Sequence, residues 1–330
     1  MIRIAVLDDY AENAKDLAGW DSIPDAEIVY FRDHVSEPNA LVEMLQGFDI
    51  VQMMRERTPF PAEVVDRLPD LKLLSGTGGR HPHVDMDACT RLGIQVTNTS
   101  GSSGVGPGGP TMELAWGLII GLMRHIPWED RQIREGRWQT RMGTGLSGKT
   151  LGIMGLGSIG VPMANIANAL GMNVIAWSRS LTPERAEAAG ATYASWDELF
   201  KQSDVLTIHV PLSDESRGWV GARELGLMKP TAYLINTSRG PIVQTDALVD
   251  ALRNDTIAGA AVDVYDSEPI STDHPLLALE NVVLTPHVGY ASVEGLRNFY
   301  RGAVANINAW VAGEPMKVAN EAVLGSERKR

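Results

Sequence analysis

Three glycines form the pattern Gly155-x-Gly157-x-x-Gly160, between an apolar run and the start of a helical pattern. In a strand–turn–helix of this kind, the first glycine permits a tight turn and the second removes a Cβ that would block a phosphate. The third lets the helix pack close to the strand. The N–H groups at the start of the helix then face an anion. The pattern predicts a binding site for the pyrophosphate of a dinucleotide; a purely structural glycine turn is the alternative.

Three ionisable side chains, Arg239, Glu268 and His287, each lie just past a predicted strand in the second half of the chain. Because ligands of open α/β sheets bind beyond the carboxyl ends of the strands, we expect these side chains to converge. Taken singly, each is compatible with a purely structural role. Arg239 could be a surface charge, Glu268 a residue of a solvated turn, and His287 a hydrogen-bonded loop histidine. The combination with a dinucleotide motif favours catalysis.

The three side chain types suit the reduction of a 2-keto acid. A guanidinium can bind the carboxylate with charge-assisted hydrogen bonds and polarise the neighbouring carbonyl oxygen. A histidine, with an ordinary pKa of about 6.5, can donate the proton that an alkoxide needs after hydride transfer. A carboxylate partner would hold its tautomer and stabilise the imidazolium. The hydride itself would come from a nicotinamide.

Strand patterns alternate with helical patterns along most of the chain, which predicts an α/β fold with parallel sheets covered by helices. The expected architecture is two Rossmann-like doubly wound domains. In the first, a flavodoxin-like sheet has predicted strands at residues 2–7, 27–31, 50–54, 71–75 and 94–97. In the second, six strands are predicted at residues 150–154, 174–177, 205–210, 232–237, 259–264 and 282–285.

The predicted helix at residues 293–312 follows the second domain and should return to the first. We therefore expect a discontinuous substrate domain, residues 1–100 and 291–330, and a dinucleotide-binding domain, residues 101–290. The glycine- and proline-rich residues 100–110 are interpreted as a flexible linker. Two chain crossings would then form a hinge with a cleft, and clefts of this kind usually hold small ligands.

Composition excludes several classes of partner. The net charge of −12 would repel a nucleic acid backbone, so nucleic acid is not an expected partner. Cys89 is the single cysteine, which excludes an internal disulfide and a cysteine metal site and indicates a reducing compartment. No apolar run is long enough for a bilayer span, and the amino-terminal run is too short for a signal sequence. We expect a cytoplasmic protein without membrane association.

At this level of detail the chain resembles the D-isomer-specific 2-hydroxyacid dehydrogenases, which include phosphoglycerate dehydrogenases and glyoxylate/hydroxypyruvate reductases. The resemblance covers nearly the whole chain and is carried by several motifs in the family's order and spacing. These are the glycine loop, His209-Val210-Pro211-Leu212, Met228-Lys229-Pro230, residues 236–240, residues 263–269 and Pro286-His287-Val288-Gly289. It implies an NAD(P)-dependent oxidoreductase that interconverts small 2-keto acids and D-2-hydroxy acids.

The resemblance also implies roles for individual residues. Arg239 would bind the substrate carboxylate, His287 would be the acid/base, and Glu268 would orient it. Backbone N–H groups of Thr77, Gly78 and Gly79 would bind the substrate carboxylate, a tight turn being the alternative.

The cofactor-binding residues implied by the resemblance lie in both halves of the dinucleotide domain. They are Gly155, Gly157, Ser158, Ile159 and Gly160 at the pyrophosphate, Val210 and Pro211 at the adenosine side, Thr237 and Ser238 at the nicotinamide half, Asp263 at the carboxamide, and Gly289 and Tyr290.

The end of the second Rossmann strand selects between the two nicotinamide cofactors. NAD-preferring folds commonly have an acidic residue there, which accepts from the ribose 2′-hydroxyl. Here the strand is followed by Ser178, Arg179 and Ser180, which would receive the 2′-phosphate of NADP. We therefore expect NADP to be favoured over NAD, although Arg179 lying over the adenine face is an alternative.

Two other functions have to be distinguished from this dehydrogenase activity. Formate dehydrogenases share this fold but have a glutamine at the position of Glu268, so formate oxidation is not expected. A dinucleotide-sensing, corepressor-like interaction protein without significant turnover is the alternative from a different class. The chain has no obvious peptide-recognition insert, which favours the enzyme.

Four expectations concern the rest of the molecule. The helix at residues 111–124 and the stretch at 128–138 are apolar and aromatic enough to cover a partner, so a homodimer is expected. Arg55 is interpreted as an exposed surface arginine, with a cleft position as the alternative. His81 or His83 would pair with a local carbonyl or contact a polar substrate group. Without a third ligand, no metal site is expected.

Overall fold

The computed structural model describes residues 1–79, 81–99 and 106–325. The chain forms two compact units, Met1–Val105 with Ser292–Arg330, and Gly106–Ala291. Residues 100–105 of the expected linker, and Arg80 beside His81, lie outside the described residues. Gly109 and Pro110, the end of that linker, already belong to a helix.

The first unit contains one parallel sheet of five strands. The strands are β1 (Ile2–Val6), β2 (Ala26–Tyr30), β3 (Ile50–Met53), β4 (Leu73–Gly76) and β5 (Gln95–Thr97). Their order is β2-β1-β3-β4-β5, the flavodoxin-like order expected from the sequence. The helices between them are α1 (Ala14–Leu17), α2 (Pro38–Leu45), α3 (Ala62–Val65) and α4 (Met86–Leu92). Every residue of β3 and β4 is buried, as expected for strands that have helices on both faces.

The second unit contains one parallel sheet of seven strands. They are β6 (Thr150–Met154), β7 (Asn173–Trp177), β8 (Thr192–Tyr193), β9 (Val205–Ile208), β10 (Tyr233–Asn236), β11 (Gly259–Val262) and β12 (Val282–Leu284). The helices are α5 (Gly109–Met123), α6 (Ile126–Arg134), α7 (Gly160–Ala169), α8 (Pro183–Ala188), α9 (Trp196–Gln202), α10 (Ala222–Leu227) and α11 (Thr245–Arg253). The last helix, α12 (Val293–Val311), belongs to the first unit.

The order of the second sheet is β12-β11-β10-β9-β6-β7-β8. The six strands β11-β10-β9-β6-β7-β8 have the Rossmann order, and β12 is a seventh strand added at the edge beside β11. The expected fold of two doubly wound domains is confirmed, but the expectation of six strands in the second was wrong. The missed strand, β8, has only two residues, and both are exposed, so it has no hydrophobic pattern. Only its pairing with β7 defines it as a strand.

Two core clusters fill the second unit, one on each face of its sheet, and a third fills the first unit. Cys89 is buried in the third cluster, and burial raises the pKa of its thiol to about 12. Among the described residues, no helix combines the length and apolar character that crossing a bilayer requires.

Candidate active site

The glycine loop joins β6 to α7, and its three glycines meet different surroundings. Gly155 has a φ of 101°, and a Cβ there would lie 2.5 Å from the backbone oxygen of His209. A Cβ on Gly160, the first residue of α7, would lie 2.2 Å from the backbone oxygen of Gly155. A Cβ on Gly157 would meet no protein atom within 4 Å. The first and third glycines are therefore required by close packing, whereas the second faces open space.

This open space lies where a dinucleotide binds in folds of this order. The sheet order reverses between β6 and β9, and ligands bind at such switch points. Gly157 and Ser158 are exposed, and Ile159 is half-buried at the start of α7, whose first N–H groups favour an anion. Val210, which follows β9, is buried, and Pro211 is exposed. The residues at this switch point fit a pyrophosphate.

The side chains of His287 and Glu268 form a pair. Nδ1 of His287 lies 2.5 Å from Oε2 of Glu268, and the two side chains are 18% and 21% exposed. The second oxygen of Glu268, Oε1, accepts from the backbone N–H of Tyr265 at 2.9 Å. The carboxylate is thus held from both sides. With a carboxylate at Nδ1, the proton of a neutral imidazole stays on Nδ1, and Nε2 is left for proton exchange.

Arg239 lies in a turn after β10 that is braced by Asn236. The buried Asn236 side chain donates to the backbone oxygen of Arg239 at 3.0 Å and accepts from the backbone N–H of Ser238 at 3.1 Å. The Ser238 hydroxyl donates to the backbone oxygen of Val210. Nη1 of Arg239 donates to the backbone oxygen of Ser238 at 2.7 Å.

Gly240, directly after Arg239, packs against the backbone of the segment that carries Glu268. A Cβ on Gly240 would lie 2.2 Å from the carbonyl carbon of Tyr265 and 2.7 Å from the backbone nitrogen of Asp266. Only glycine permits this approach. Because the N–H of Tyr265 holds Glu268, the structure brings the turn that carries Arg239 against the segment that carries the His287–Glu268 pair.

Asp263 is fully buried and holds the loop that carries His287. Its Oδ1 accepts from the Thr285 hydroxyl at 2.6 Å and from the N–H of Val288 at 2.9 Å, and its Oδ2 accepts from the N–H of Gly289 at 2.9 Å. Burial raises the pKa of Asp263, while these hydrogen bonds oppose the shift. Sequence reasoning missed this role. The expected contact between Asp263 and the carboxamide of the cofactor stays a prediction. Both carboxylate oxygens of Asp263 already accept hydrogen bonds from within the protein.

Three further residues were predicted to bind the cofactor: Thr237 after β10, and Gly289 and Tyr290 in the loop of His287. The hydroxyl of Thr237 is buried and has no hydrogen-bond partner among the described residues, so it fits a polar atom of a ligand. The backbone oxygen of Gly289 accepts from the Thr111 hydroxyl at 2.8 Å. The Tyr290 ring lies 5.8 Å from that of His287, at an angle of 81°.

The expected 2′-phosphate site after β7 already contains several interactions. The Ser178 hydroxyl accepts from the N–H of Leu156 at 2.8 Å and so braces the glycine loop. Arg179 forms an ion pair with Glu215. The backbone oxygen of Ser180 accepts from Nη1 of Arg185 at 2.8 Å. Sequence reasoning missed Glu215 and Arg185, and no local pattern signals that Glu215 lies near this strand end.

In the first unit, two of the three predicted substrate donors are engaged within the protein. The N–H of Thr77 donates to the backbone oxygen of Met53 at 3.2 Å, and the N–H of Gly78 donates to the Thr99 hydroxyl at 2.7 Å. Gly78 has a φ of 101°, as in the tight turn that was the alternative. Gly79 is therefore the backbone donor of this segment on which the substrate-binding prediction now depends.

Arg55 is partly buried, not exposed as expected. Its backbone N–H donates to the Thr77 hydroxyl at 2.7 Å, and a Cβ on Gly78 would lie 2.6 Å from its Nη1. The rings of His81 and His83 lie 5.7 Å apart. Burial lowers the pKa of His81, and a backbone hydrogen bond with Thr97 opposes this shift. The expected pairing with a local carbonyl stays a prediction for His81, whereas the ring nitrogens of His83 have no hydrogen-bond partner in the part of the chain that the structure describes. No group of three His, Cys, Asp or Glu side chains within the described ranges could hold a metal ion.

The glycine loop at the switch point and the His287–Glu268 pair define a nicotinamide-dependent oxidoreductase. Comparison with known proteins gives the family. Residues 116–289 match the family profile "D-isomer specific 2-hydroxyacid dehydrogenase, NAD binding domain". The chain therefore belongs to the D-isomer-specific 2-hydroxyacid dehydrogenases, as its relatives also show.

Two relatives and one crystal structure illustrate the similarity. The chain is 40% identical over 272 residues to a glyoxylate reductase from Aeropyrum pernix. This alignment covers 79% of this chain and 80% of that protein. It is 37% identical over 312 residues to a glyoxylate reductase from Thermococcus litoralis, covering 91% and 92%. A phosphoglycerate oxidoreductase from Vibrio cholerae superposes with a TM-score of 0.89 at 35% identity, covering 95% and 100%.

These comparisons confirm the predicted family and reaction class. The protein is an NAD(P)-dependent oxidoreductase that acts on the CH–OH group of 2-hydroxy acids and on the corresponding 2-keto acids. The relatives give no support to the corepressor alternative.

Proposed function

We propose that this protein reduces small 2-keto acids with NADPH, glyoxylate being the first candidate substrate, and that Arg239, Glu268 and His287 are the residues that carry the reaction. The observation that supports this most directly is the His287–Glu268 pair, with the turn of Arg239 packed against the same segment. The names of the two relatives, both glyoxylate reductases, support the substrate.

The proton transfer follows from the geometry of the pair. Glu268 accepts at Nδ1 of His287, so Nε2 carries the transferable proton when the imidazole is charged. When bound, the cofactor supplies the hydride to the carbonyl carbon. His287 then gives its Nε2 proton to the oxygen, and the neutral imidazole keeps its remaining proton on Nδ1, towards Glu268. In the oxidation direction Nε2 accepts the hydroxyl proton.

Arg239 and Glu268 have distinct parts in this scheme. The guanidinium of Arg239 binds the substrate carboxylate and orients the neighbouring carbonyl towards His287. Glu268 is a positioning residue, because it acts through His287, and the bond from Tyr265 holds its carboxylate in place. Glyoxylate would give glycolate, and hydroxypyruvate would give the D-hydroxy acid.

The reaction is tested by the absorbance of NADPH during incubation with glyoxylate, hydroxypyruvate, pyruvate and larger 2-keto acids. We expect turnover of the smallest acids and a decrease of on the order of a hundredfold or more in kcat for His287→Gln. His125→Gln is the matched control, because His125, directly before α6, is another histidine of the same unit and has no hydrogen bond or ring contact with Glu268 or Tyr265 among the described residues. Full activity in both His287→Gln and Arg239→Ala would contradict the assignment.

The proposed preference for NADPH is supported by the residues after β7. No acidic residue follows this strand directly, and Ser178, Arg179 and Ser180 can contact a 2′-phosphate. The Ser178 hydroxyl accepts from Leu156, and its proton is available for a phosphate oxygen. We expect a higher kcat/KM with NADPH than with NADH, and Ser178→Asp should move the preference towards NADH. Equal or better use of NADH by the wild type would refute this preference.

We also propose that the protein is a homodimer that associates through the second unit. Five apolar side chains around α6 and the segments beside it are strongly exposed: Ile126 and Ile133 are each 53% exposed, Trp138 76%, Met142 95% and Leu277 49%. Leu277 also lines a cavity of about 250 Å³ beside α5 and α6. Large exposed apolar side chains concentrated in and around one helix favour an interface there. A mass of 35.8 kDa by light scattering at all micromolar concentrations would exclude a stable dimer.

A further inference from the structure

The ion pair between Arg179 and Glu215 joins two segments that are distant in sequence. Arg179 follows β7, and Glu215 lies in the segment between β9 and α10, 36 residues further along the chain. Their side chains are 57% and 60% exposed. The guanidinium expected to receive a 2′-phosphate therefore already has a carboxylate partner within the protein.

Glu215 projects from a turn that is held by a buried serine. Ser216 is 2% exposed, and its hydroxyl donates to the backbone oxygen of Pro211 at 2.9 Å. The N–H of Ser213 donates to the same hydroxyl at 2.8 Å, and the N–H of Arg217 donates to the backbone oxygen of Ser213 at 3.0 Å. The backbone that carries Glu215 is thus fixed beside Pro211, which was itself expected at the adenosine side.

A cluster of three tryptophans connects this turn to the end of β7. The Trp219 ring lies 5.4 Å from that of Trp177 and 5.7 Å from that of Trp196, and the Trp177 and Trp196 rings are 4.6 Å apart. Trp177 is the last residue of β7, directly before Ser178 and Arg179. Packing of the indole rings therefore anchors both partners of the ion pair and keeps Glu215 within reach of Arg179.

We propose that Glu215 limits the preference of this protein for NADPH by competing with the 2′-phosphate for Arg179. The acidic residue that is absent directly after β7 is supplied from the segment after β9. A 2′-phosphate, which carries between one and two negative charges at neutral pH, must share the guanidinium with this carboxylate and is repelled by it. The 2′-hydroxyl of NAD does not experience this repulsion.

This inference rests on the proposed function, because it assumes that the dinucleotide binds at the switch point with its ribose near Arg179. Because the carboxylate of Glu215 opposes the 2′-phosphate, the preference for NADPH over NADH should be smaller than it would be with Arg179 alone. Removing the charge should strengthen the binding of the phosphorylated cofactor alone. Because the pair is exposed and screened by solvent, we expect a three- to tenfold effect, of about the size that exposed ion pairs and nearby like charges produce.

The test is the binding of two fragments without nicotinamide, 2′-phospho-ADP-ribose and ADP-ribose, measured by isothermal titration calorimetry. For Glu215→Gln we expect the Kd of 2′-phospho-ADP-ribose to decrease about three- to tenfold, while the Kd of ADP-ribose stays within about twofold. The matched control is Asp214→Asn, which removes the same charge from the neighbouring exposed residue of the turn. It should change both constants by less than about twofold.

A double-mutant cycle separates competition for Arg179 from general repulsion. In an Arg179→Ala background, Glu215→Gln should improve the binding of 2′-phospho-ADP-ribose by less than in the wild type. An unchanged ratio of the two constants in Glu215→Gln, or an equal change in Asp214→Asn, would overturn this inference alone. Failure of the wild type to bind either fragment would overturn the proposed site and this inference with it.

Discussion

Replacement of Glu268 by glutamine tests the proposed chemistry most directly, because the two side chains have nearly the same shape. In the structure both oxygens of Glu268 accept: Oε1 from the N–H of Tyr265 at 2.9 Å and Oε2 at Nδ1 of His287 at 2.5 Å. A glutamine has one acceptor and one donor at these positions. Depending on how the amide is turned, either the bond from Tyr265 is lost or the hydrogen bond at Nδ1 of His287 reverses its direction.

Both orientations of the amide impair proton transfer. If its oxygen faces Nδ1 of His287, the NH₂ group opposes the N–H of Tyr265, and the side chain loses its support. If its NH₂ group faces Nδ1, the neutral imidazole must carry its proton on Nε2, so Nε2 can no longer accept one. In either case the charged imidazole loses a carboxylate partner, which no neutral amide replaces.

The magnitude follows from the contacts that are lost. A hydrogen bond to a charged group contributes about 1.5–3 kcal/mol, and the pair is mostly shielded, at 18% and 21% exposure. We take about 2–3 kcal/mol in the transition state, which corresponds to a decrease of about 30- to 150-fold in kcat for glyoxylate reduction. The KM for glyoxylate should change by less than about threefold, because Arg239 still binds the carboxylate.

The assay is steady-state NADPH oxidation in H₂O and D₂O. The solvent isotope effect on kcat should increase in Glu268→Gln, because proton transfer becomes slower relative to the other steps. Loss of structure alone would not produce that change. Glu187→Gln, an exposed glutamate on α8, is the control and should behave as the wild type. A kcat within about threefold of the wild type, or an effect confined to KM, would refute the proposed role of Glu268.

Three more predictions concern the rest of the protein. Arg239→Ala should lower kcat/KM for glyoxylate about 10- to 100-fold, because the substrate carboxylate loses a charge-assisted contact, whereas the Kd of NADPH, measured by fluorescence, should stay unchanged. Asp263→Asn should lower the free energy of unfolding by about 1–3 kcal/mol and reduce kcat, because an amide cannot accept all three hydrogen bonds that hold the loop of His287; unfolding in urea and kinetics measure both effects. Burial lowers the pKa of His83 to about 4, below its value of about 6.5 in the unfolded chain. Below pH 6.5 the unfolded chain binds more protons, so stability should decrease by about 2–3 kcal/mol as the pH falls from 6.5 towards 4, and calorimetric unfolding of His83→Gln should show a smaller decrease.

The local features of the fold were predictable because they depend on neighbours along the chain. Apolar runs with intervening helical periods predicted eleven of the strands, and β8 escaped because two exposed residues carry no such signal. The glycine spacing predicted the turn between β6 and α7. Gly155 and Gly160 make the close contacts with His209 and with each other that this turn demands.

The three proposed catalytic residues could also be found from the sequence, for a simple geometric reason. Arg239, Glu268 and His287 each follow a strand of one parallel sheet, and all carboxyl ends of such a sheet lie at the same edge. The rule needs only the position of each residue after its strand. It does not need the conformation of any loop.

Hydrogen bonds and ion pairs between different loops were decided only by the tertiary structure. Asp263 turns inward and holds the loop of His287, the N–H of Gly78 is taken by the Thr99 hydroxyl, and Arg179 meets Glu215 from a segment 36 residues away. Each of these depends on where a loop returns after leaving the sheet. That path is determined by packing, such as the indole contacts of Trp177 and Trp219, and a local sequence pattern does not encode it.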